Sequence, residues 1–404
     1  MTHLDRSSFR GTFFSRIFGA VLLLVLITTA GGWVSAAEKN VDPAGYLYAE
    51  VTMISGGNYR GAMRWGREEA FWGDHFNSRK EQLPFLKHMP EKRSPGKRSF
   101  ACRFGDIEQI IVNGTEDAIV HMKSGSMFQV RGYANDVGSK LRIWDEEQGE
   151  IEMRWMEIAK IEFIPSETKK KAFHQKRLYG VVSTDQGDLE GYIQWDLEEC
   201  LHTDELNGEV QGKDKDLKMG EISVIERKDP GVTITLKDGV TFDMYGTNDV
   251  NSENRGIMVE NATFGRVRIS WSRFKKVTFQ DVNHTGPSFD TFEHQGKLNG
   301  TVTLKNGTTS TGNIVFNMDA NEQWAFLNAG NKGMHYTIPL GLVKTLEPRD
   351  DRRCLVILHD GTKLTFSEGH DIDHRNLGLL IMTNDQANPE YVAWNDIKTV
   401  EFAK

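Results

Sequence analysis

Over many short stretches the chain alternates apolar and polar residues with a period of two, the signature of half-buried strands. Val232, Ile234 and Leu236 alternate with Thr233, Thr235 and Lys237. Asp238-Gly239 then interrupts the run, and Val240-Thr-Phe242 follows it. An Asp-Gly or Asn-Gly step between alternating runs predicts a β-hairpin, because glycine accepts the positive φ the turn needs. Asn306-Gly307 after Val302-Thr-Leu304, and Asp360-Gly361 after Leu355-Val-Ile-Leu358, repeat the design, and Lys123-Ser-Gly125 fills the same slot earlier in the chain. Val267-Arg-Ile-Ser-Trp271 gives another half-buried strand, while Leu355 to Leu358 is apolar on both faces and predicts a more buried one. Helical spacing is scarce. Its one candidate, Ser78 to Lys92, is broken by Pro84 and Pro90. The pattern predicts an all-β fold.

The strand wording recurs. Gly125-Ser-Met-Phe-Gln-Val-Arg-Gly-Tyr-Ala-Asn-Asp136 aligns with Gly239-Val-Thr-Phe-Asp-Met-Tyr-Gly-Thr-Asn-Asp249 and Gly361-Thr-Lys-Leu-Thr-Phe-Ser-Glu-Gly-His-Asp371. Each is followed by a tryptophan (Trp155, Trp271, Trp394) and a closing strand ending at Phe163, Phe279 or Phe402. Upstream, Arg60-Gly-Ala-Met-Arg-Trp65 matches Glu190-Gly-Tyr-Ile-Gln-Trp195 and Thr311-Gly-Asn-Ile-Val-Phe316. Asp74-His-Phe-Asn77, Asp204-Glu-Leu-Asn207 and the weaker Ala325-Phe-Leu-Asn328 each begin nine residues after the aromatic. Matching intervals between independent landmarks define three units, at 46–165, 178–280 and 297–403. The first carries a basic insertion at 78–100, and polar joints lie at 166–177 and 281–296.

Each unit reads as two halves of four or five short strands. The expected architecture is three tandem two-lobed units of small SH3-like or Sm-like barrels, with a six-bladed β-propeller as the alternative. Alternate halves differ in wording, which favours the barrels. The phrases Gly191-Tyr-Ile-Gln-Trp-Asp196, Glu205-Leu-Asn-Gly208 and Asn248-Asp-Val-Asn-Ser-Glu-Asn-Arg-Gly-Ile257 resemble wording in exported bacterial β-repeat proteins that are themselves uncharacterised. The resemblance implies an envelope or secreted location and carries no activity with it.

Composition agrees with a strand-rich chain: 39 glycines against 10 prolines, without a collagen period, imply many tight turns. The first 36 residues read as a signal peptide, with Arg6, Arg10 and Arg16 ahead of an apolar run from Ile17 to Ile27 and small residues at Val34-Ser-Ala36. That run is too short to span a bilayer, so no transmembrane segment is expected after cleavage, and the location is periplasmic or secreted. Removing three arginines and one aspartate takes the net charge from −8 to −10. Such a chain is not expected to bind nucleic acid, which relies on positive fields. The three cysteines, Cys102, Cys200 and Cys354, form no C-x-x-C motif and read as small buried hydrophobes.

Signatures for phosphate loops, zinc proteases and serine nucleophiles are absent, and no cofactor is expected. Three clusters remain. Trp195, Asp196, Glu199 and Asp204, with Trp65 in the first unit, combine an aromatic with carboxylates that can bind a sugar or peptide, or pair for hydrolysis. The plainer reading makes the aromatic core and the acids a solvated turn. His370, Asp371, Asp373 and His374 have donor types for a divalent metal, although a repeated loop aspartate is more often a turn device. The insertion, with Lys87, Lys92, Arg93, Lys97 and Arg98, can dock an acidic partner or an anionic envelope polymer, or remain a solvated loop. The leading expectation is a non-catalytic binding or scaffold protein of the envelope, with an envelope polymer or a protein as partner. The alternative is a hydrolase of carbohydrate or envelope polymer. The intact mass of the exported chain is expected to correspond to a first residue at Ala37; a mass retaining residues 1–36 would contradict the signal assignment.

Overall fold

A computed structural model describes residues 41–90, 98–132, 136–166, 175–293, 296–383 and 389–404. The expected signal segment and Lys92, Arg93 and Lys97 of the insertion lie outside the described residues. Among the described residues over half are strand, all of it antiparallel, and no helix reaches seven residues. The expected all-β class is what the structure shows.

The first ten strands are β1 (Tyr48–Met53), β2 (Asn58–Trp65), β3 (His75–Lys80), β4 (Ser99–Arg103), β5 (Ile107–Val112), β6 (Asp117–Met122), β7 (Met127–Arg131), β8 (Lys140–Asp145), β9 (Gly149–Arg154) and β10 (Ile158–Phe163). They form one sheet in the order β4-β3-β7-β6-β5-β10-β1-β2-β8-β9. The next ten are β11 (Tyr179–Thr184), β12 (Gly187–Gln194), β13 (Glu205–Val210), β14 (Lys213–Lys218), β15 (Ile222–Lys228), β16 (Gly231–Leu236), β17 (Thr241–Met244), β18 (Ile257–Asn261), β19 (Gly265–Ile269) and β20 (Phe274–Phe279). The last ten are β21 (Asn299–Leu304), β22 (Thr309–Val315), β23 (Phe326–Asn331), β24 (Met334–Pro339), β25 (Val343–Pro348), β26 (Cys354–Leu358), β27 (Lys363–Phe366), β28 (Leu379–Met382), β29 (Glu390–Val392) and β30 (Ile397–Phe402). Their ladders, β17-β16-β15-β20-β11-β12-β18-β19 and β27-β26-β25-β30-β21-β22-β28-β29, follow the same order as β7 to β9. The hairpins β13-β14 and β23-β24 reach their ladders through single bridges, Glu209 to Tyr245 and Gly330 to Glu368.

None of these sheets closes into a barrel, contrary to the expected SH3-like or Sm-like closure. The reason lies in the closing strand. β10 pairs with β1 on one side and β5 on the other, so the two halves share a ladder instead of each sealing its own edges. β20 and β30 do the same.

Local chemistry repeats with the strand order. Gly125, Gly239, Gly307 and Gly361 all take φ between 82° and 92° at hairpin turns. The glycine before each buried aromatic has a different cause: a Cβ on Gly61, Gly191 or Gly312 would lie 2.0, 2.3 or 2.4 Å from a carbonyl oxygen of the neighbouring strand. Only glycine permits that approach. The aromatics then meet the later tryptophans, with ring centroids 6.0 Å apart for Trp65–Trp155, 6.3 Å for Trp195–Trp271 and 6.2 Å for Phe316–Trp394. The recurring aspartate ties the halves together. Asp136 accepts the Asn77 backbone N–H, Asp249 that of Asn207 at 2.8 Å and Asp371 that of Asn328 at 2.7 Å.

The three units join in different ways. β19 and β24 pair edge to edge, with Arg268 opposite His335 and Arg266 opposite Thr337. The same register applied to β9 and β14 would set Glu152 against Asp214 and Glu150 against Asp216, two like-charge pairs that disfavour the ladder. The first and second units instead meet at buried charges. Arg177 reaches Asp74 at 3.3 Å and Glu260 at 3.2 Å; Arg266 reaches the same two at 3.0 and 2.8 Å. The Arg177 guanidinium also lies over the Phe71 and Tyr192 rings. Arg64 adds a two-armed contact to Asp204.

The first and third units meet through the insertion. Phe85, Leu86 and Met89 pack against Val315, Met318, Leu377 and Leu380, and Lys80 pairs with Asp319 at 2.8 Å. Its expected helix is instead the end of β3 followed by a 3₁₀ turn at Pro84–His88, as the two prolines require. Asp74→Ala removes one carboxylate from two buried guanidiniums and exposes two capped amides. We expect it to lower unfolding free energy by about 3–5 kcal/mol in a denaturant titration, with a smaller loss for Asp74→Asn.

Candidate functional site

The residues proposed from the sequence as a ligand surface lie inside the protein. Trp65 and Trp195 are fully buried, each with its indole N–H donated to a backbone carbonyl, of Asp136 and Asp249 respectively. Neither ring offers a face to a sugar, so the open aromatic platform is corrected to two closed cores. Asp196, also without exposed surface, takes the side-chain N–H of Asn248 at 2.6 Å and the guanidinium of Arg255 at 2.9 Å. Asp204 accepts the Cys200 and Leu201 amides and faces Arg64, so its oxygens are occupied. Glu199 is different: one carboxyl oxygen is buried without a hydrogen-bond partner among the described residues, and burial, aided by Asp249, pushes its pKa up to about 9.

The proposed metal ligands are likewise engaged with the protein. Arg375 sits among them, donating to Asp373 and to His370 Nε2 at 2.7 Å. Asp371 binds Asn328 and Asn317, and His374 Nδ1 lies 3.4 Å from the Asp351 carbonyl. A guanidinium at the centre repels a second cation. No group of three or more His, Cys, Asp or Glu side chains suited to a metal occurs among the described residues. Cys102, Cys200 and Cys354 are free and buried.

Titratable groups do converge elsewhere, in a cleft of the first unit. It has a volume of about 340 Å³ and is lined by Glu68, Glu69, Asn77, Ser78, Ser99, Phe100 and Asp136. Local folding positions the acids. Trp65 and Glu69 exchange backbone hydrogen bonds across a tight loop, which Gly66 opens with φ 59°. Asp136 is fixed by the Asn77 amide on its side chain and the Trp65 indole on its carbonyl. Glu69 is 8% exposed, and its carboxyl has no hydrogen bond or ion pair among the described residues.

Burial dominates the electrostatics. It raises Asp136 from 3.8 to about 7, against the pull of Asn77 and with help from Glu68 and Asp74. It raises Glu69 well above the ordinary range, with Asp136, Asp74 and Glu68 adding to the shift and Arg266 opposing it. Glu68 is raised by burial and Glu198. Carboxyls whose proton affinity burial raises can donate hydrogen bonds, accept them when ionised, or move a proton. Glu68 and Glu69 follow Trp65 at the same spacing as Glu198 and Glu199 follow Trp195, and Asp136 is the repeated loop aspartate; only the fold brings them together.

Comparison of the chain with family models, with curated proteins and with solved structures found no match in any of the three. The cleft is therefore read from its own chemistry.

That chemistry has a measurable sign. Glu69 and Asp136 keep protons in the folded chain at pH values where the unfolded chain has released them. The folded state binds more protons, so stability falls as pH rises, for Asp136 from about 4 to about 7. Glu69→Gln removes its share of that loss. We expect thermal unfolding to show a stability gain at pH 8 and almost none at pH 4; an equal gain at both would contradict the assignment.

Proposed function

We propose that the protein is an exported, non-catalytic binding or scaffold protein of the cell envelope. One observation carries this reading: the strongest polar chemistry in the chain joins its own units. Asp74, Arg177, Glu260 and Arg266 are buried between the first and second units, and Glu322 of the third receives Ser124 and Ser126 of the first. Breaking one partner of such a buried set is costly, so the units act as a single block that presents fixed surfaces. The repeated aspartates and aromatics serve the same end.

A second reading has its own support. Glu69 and Asp136 are two carboxyls beside an open cleft whose proton affinities burial raises, the kind of group that acid–base hydrolysis of a carbohydrate or envelope polymer uses. Asp204, by contrast, is held by Arg64 and two amides and is a poor candidate for either role.

The two readings separate in one experiment. The protein is incubated with soluble glycans, peptidoglycan fragments and lipopolysaccharide, and both retention and the release of new reducing ends are measured. Retention without release, unchanged in Glu69→Gln, is the expected result. Release that Glu69→Gln abolishes would establish the hydrolase and end the binding-only reading.

A further inference from the structure

The tandem acids that follow each buried tryptophan meet different surroundings. In the second unit one carboxyl oxygen of Glu199 is shut away from solvent and from any hydrogen-bond partner among the described residues. In the first unit Glu69 stands at the same step after its tryptophan and is as deeply buried, 8% exposed, again with no partner among the described residues. It differs in lining a cleft of about 340 Å³, at the small end of the range for sites that hold small molecules.

The lining narrows what the cleft can hold. A carboxylate without a counter-charge is costly to bury, so Glu69 sits there as the neutral acid and offers an O–H donor. Its proton calls for an acceptor in the ligand. Glu68 and Asp136 on the same lining repel an anionic one, and no lysine, arginine or histidine is among the described lining residues to offset them. An amide carbonyl is a strong acceptor that carries no charge. Around Glu69 the lining mostly accepts. Ser78 spends its O–H on the Arg131 carbonyl at 2.7 Å, and Asn77 spends a side-chain N–H on the His75 carbonyl at 3.1 Å, which leaves oxygen lone pairs for ligand hydroxyls. β3, which carries both residues, has β4 on one side and β7 on the other, so it offers no free edge to an extended peptide.

We propose that the first-unit cleft binds an acetamido sugar of a glycan, with the Glu69 carboxyl proton donated to the amide carbonyl and the ring hydroxyls donating to Asn77, Ser78 and Glu68. This names the ligand class behind the binding reading and rests on that reading. Phe100, the one apolar residue of the described lining, is fully buried among Phe76, Phe128 and Trp324 and supplies a floor for the acetyl methyl rather than a ring to stack on. Ionising Glu69 removes the donor, so affinity falls as pH rises. The groups that set this response are Glu68 on the same loop, Asp74 before β3, Asp136 before β8 and Arg266 on β19.

The test is calorimetry on the full chain with the disaccharide of N-acetylglucosamine, its de-acetylated form, cellobiose and N-acetylalaninamide as probes, at pH 5 and pH 9. Saturable binding of the acetylated disaccharide is expected at pH 5, and weaker binding at pH 9. Cellobiose and the de-acetylated disaccharide should bind at least about tenfold more weakly, and the peptide amide not at all. Glu69→Gln keeps an N–H donor in place of the acid, so it should match the parent at pH 5 and hold that affinity at pH 9. Glu69→Ala should lose about tenfold or more at pH 5 while unfolding as cooperatively as the parent. Equal binding of cellobiose or the peptide amide, tighter binding of the cationic disaccharide, or a Glu69→Gln affinity that falls with pH as the parent's does would overturn the proposal. So would no binding of any probe, which alongside polymer retention leaves the binding reading standing. New reducing ends released from an acetylated glycan would end that reading and this proposal with it.

Discussion

The structure depends on one hydrogen bond made three times: a loop aspartate from the second half of a unit accepts a backbone N–H from the first half. Asp136, Asp249 and Asp371 hold Asn77, Asn207 and Asn328 in this way. The contact closes a long loop with a single buried acceptor, and it fixes where the preceding aromatic can sit. Trp65 and Trp195 then donate their indoles to the carbonyls of Asp136 and Asp249. Because the aspartate must be buried to do this, its carboxyl is pushed toward the neutral form in all three places. The proton chemistry of the cleft thus grows out of a structural tie.

Much of the strand pattern is legible in the sequence because its causes are local. A D-G or N-G step sets a turn regardless of context, and Gly239, Gly307 and Gly361 turn hairpins as read. Alternation at Val232, Ile234 and Leu236 marks a strand for the same reason. What is not legible depends on contacts between distant segments. The closing strand's double pairing decides between open ladders and sealed barrels, and no residue in β10 announces its second neighbour. The insertion reads as a solvated basic loop, but its apolar residues Phe85, Leu86 and Met89 find a partner surface on the third unit.

The candidate site divides along the same line. Residue types pointed to carboxylates beside an aromatic, and carboxylates are what the cleft contains. The position was misread because Trp195 and its acids carry the fuller motif, whereas the cleft lies in the first unit, beside Glu68, Glu69 and Asp136. Asp136 comes from a distant loop, so its place beside Glu69 is visible only in the fold.

The unlike joints also imply an unequal response to force. The second and third units share a ladder of backbone hydrogen bonds between β19 and β24, which share load along their length. The first unit is held to the second by side-chain charges that surrender their attraction over a short displacement once water enters. A chain pulled from its ends would shed the first unit's side-chain contacts to both of the others first, leaving the second and third as a single mechanical element.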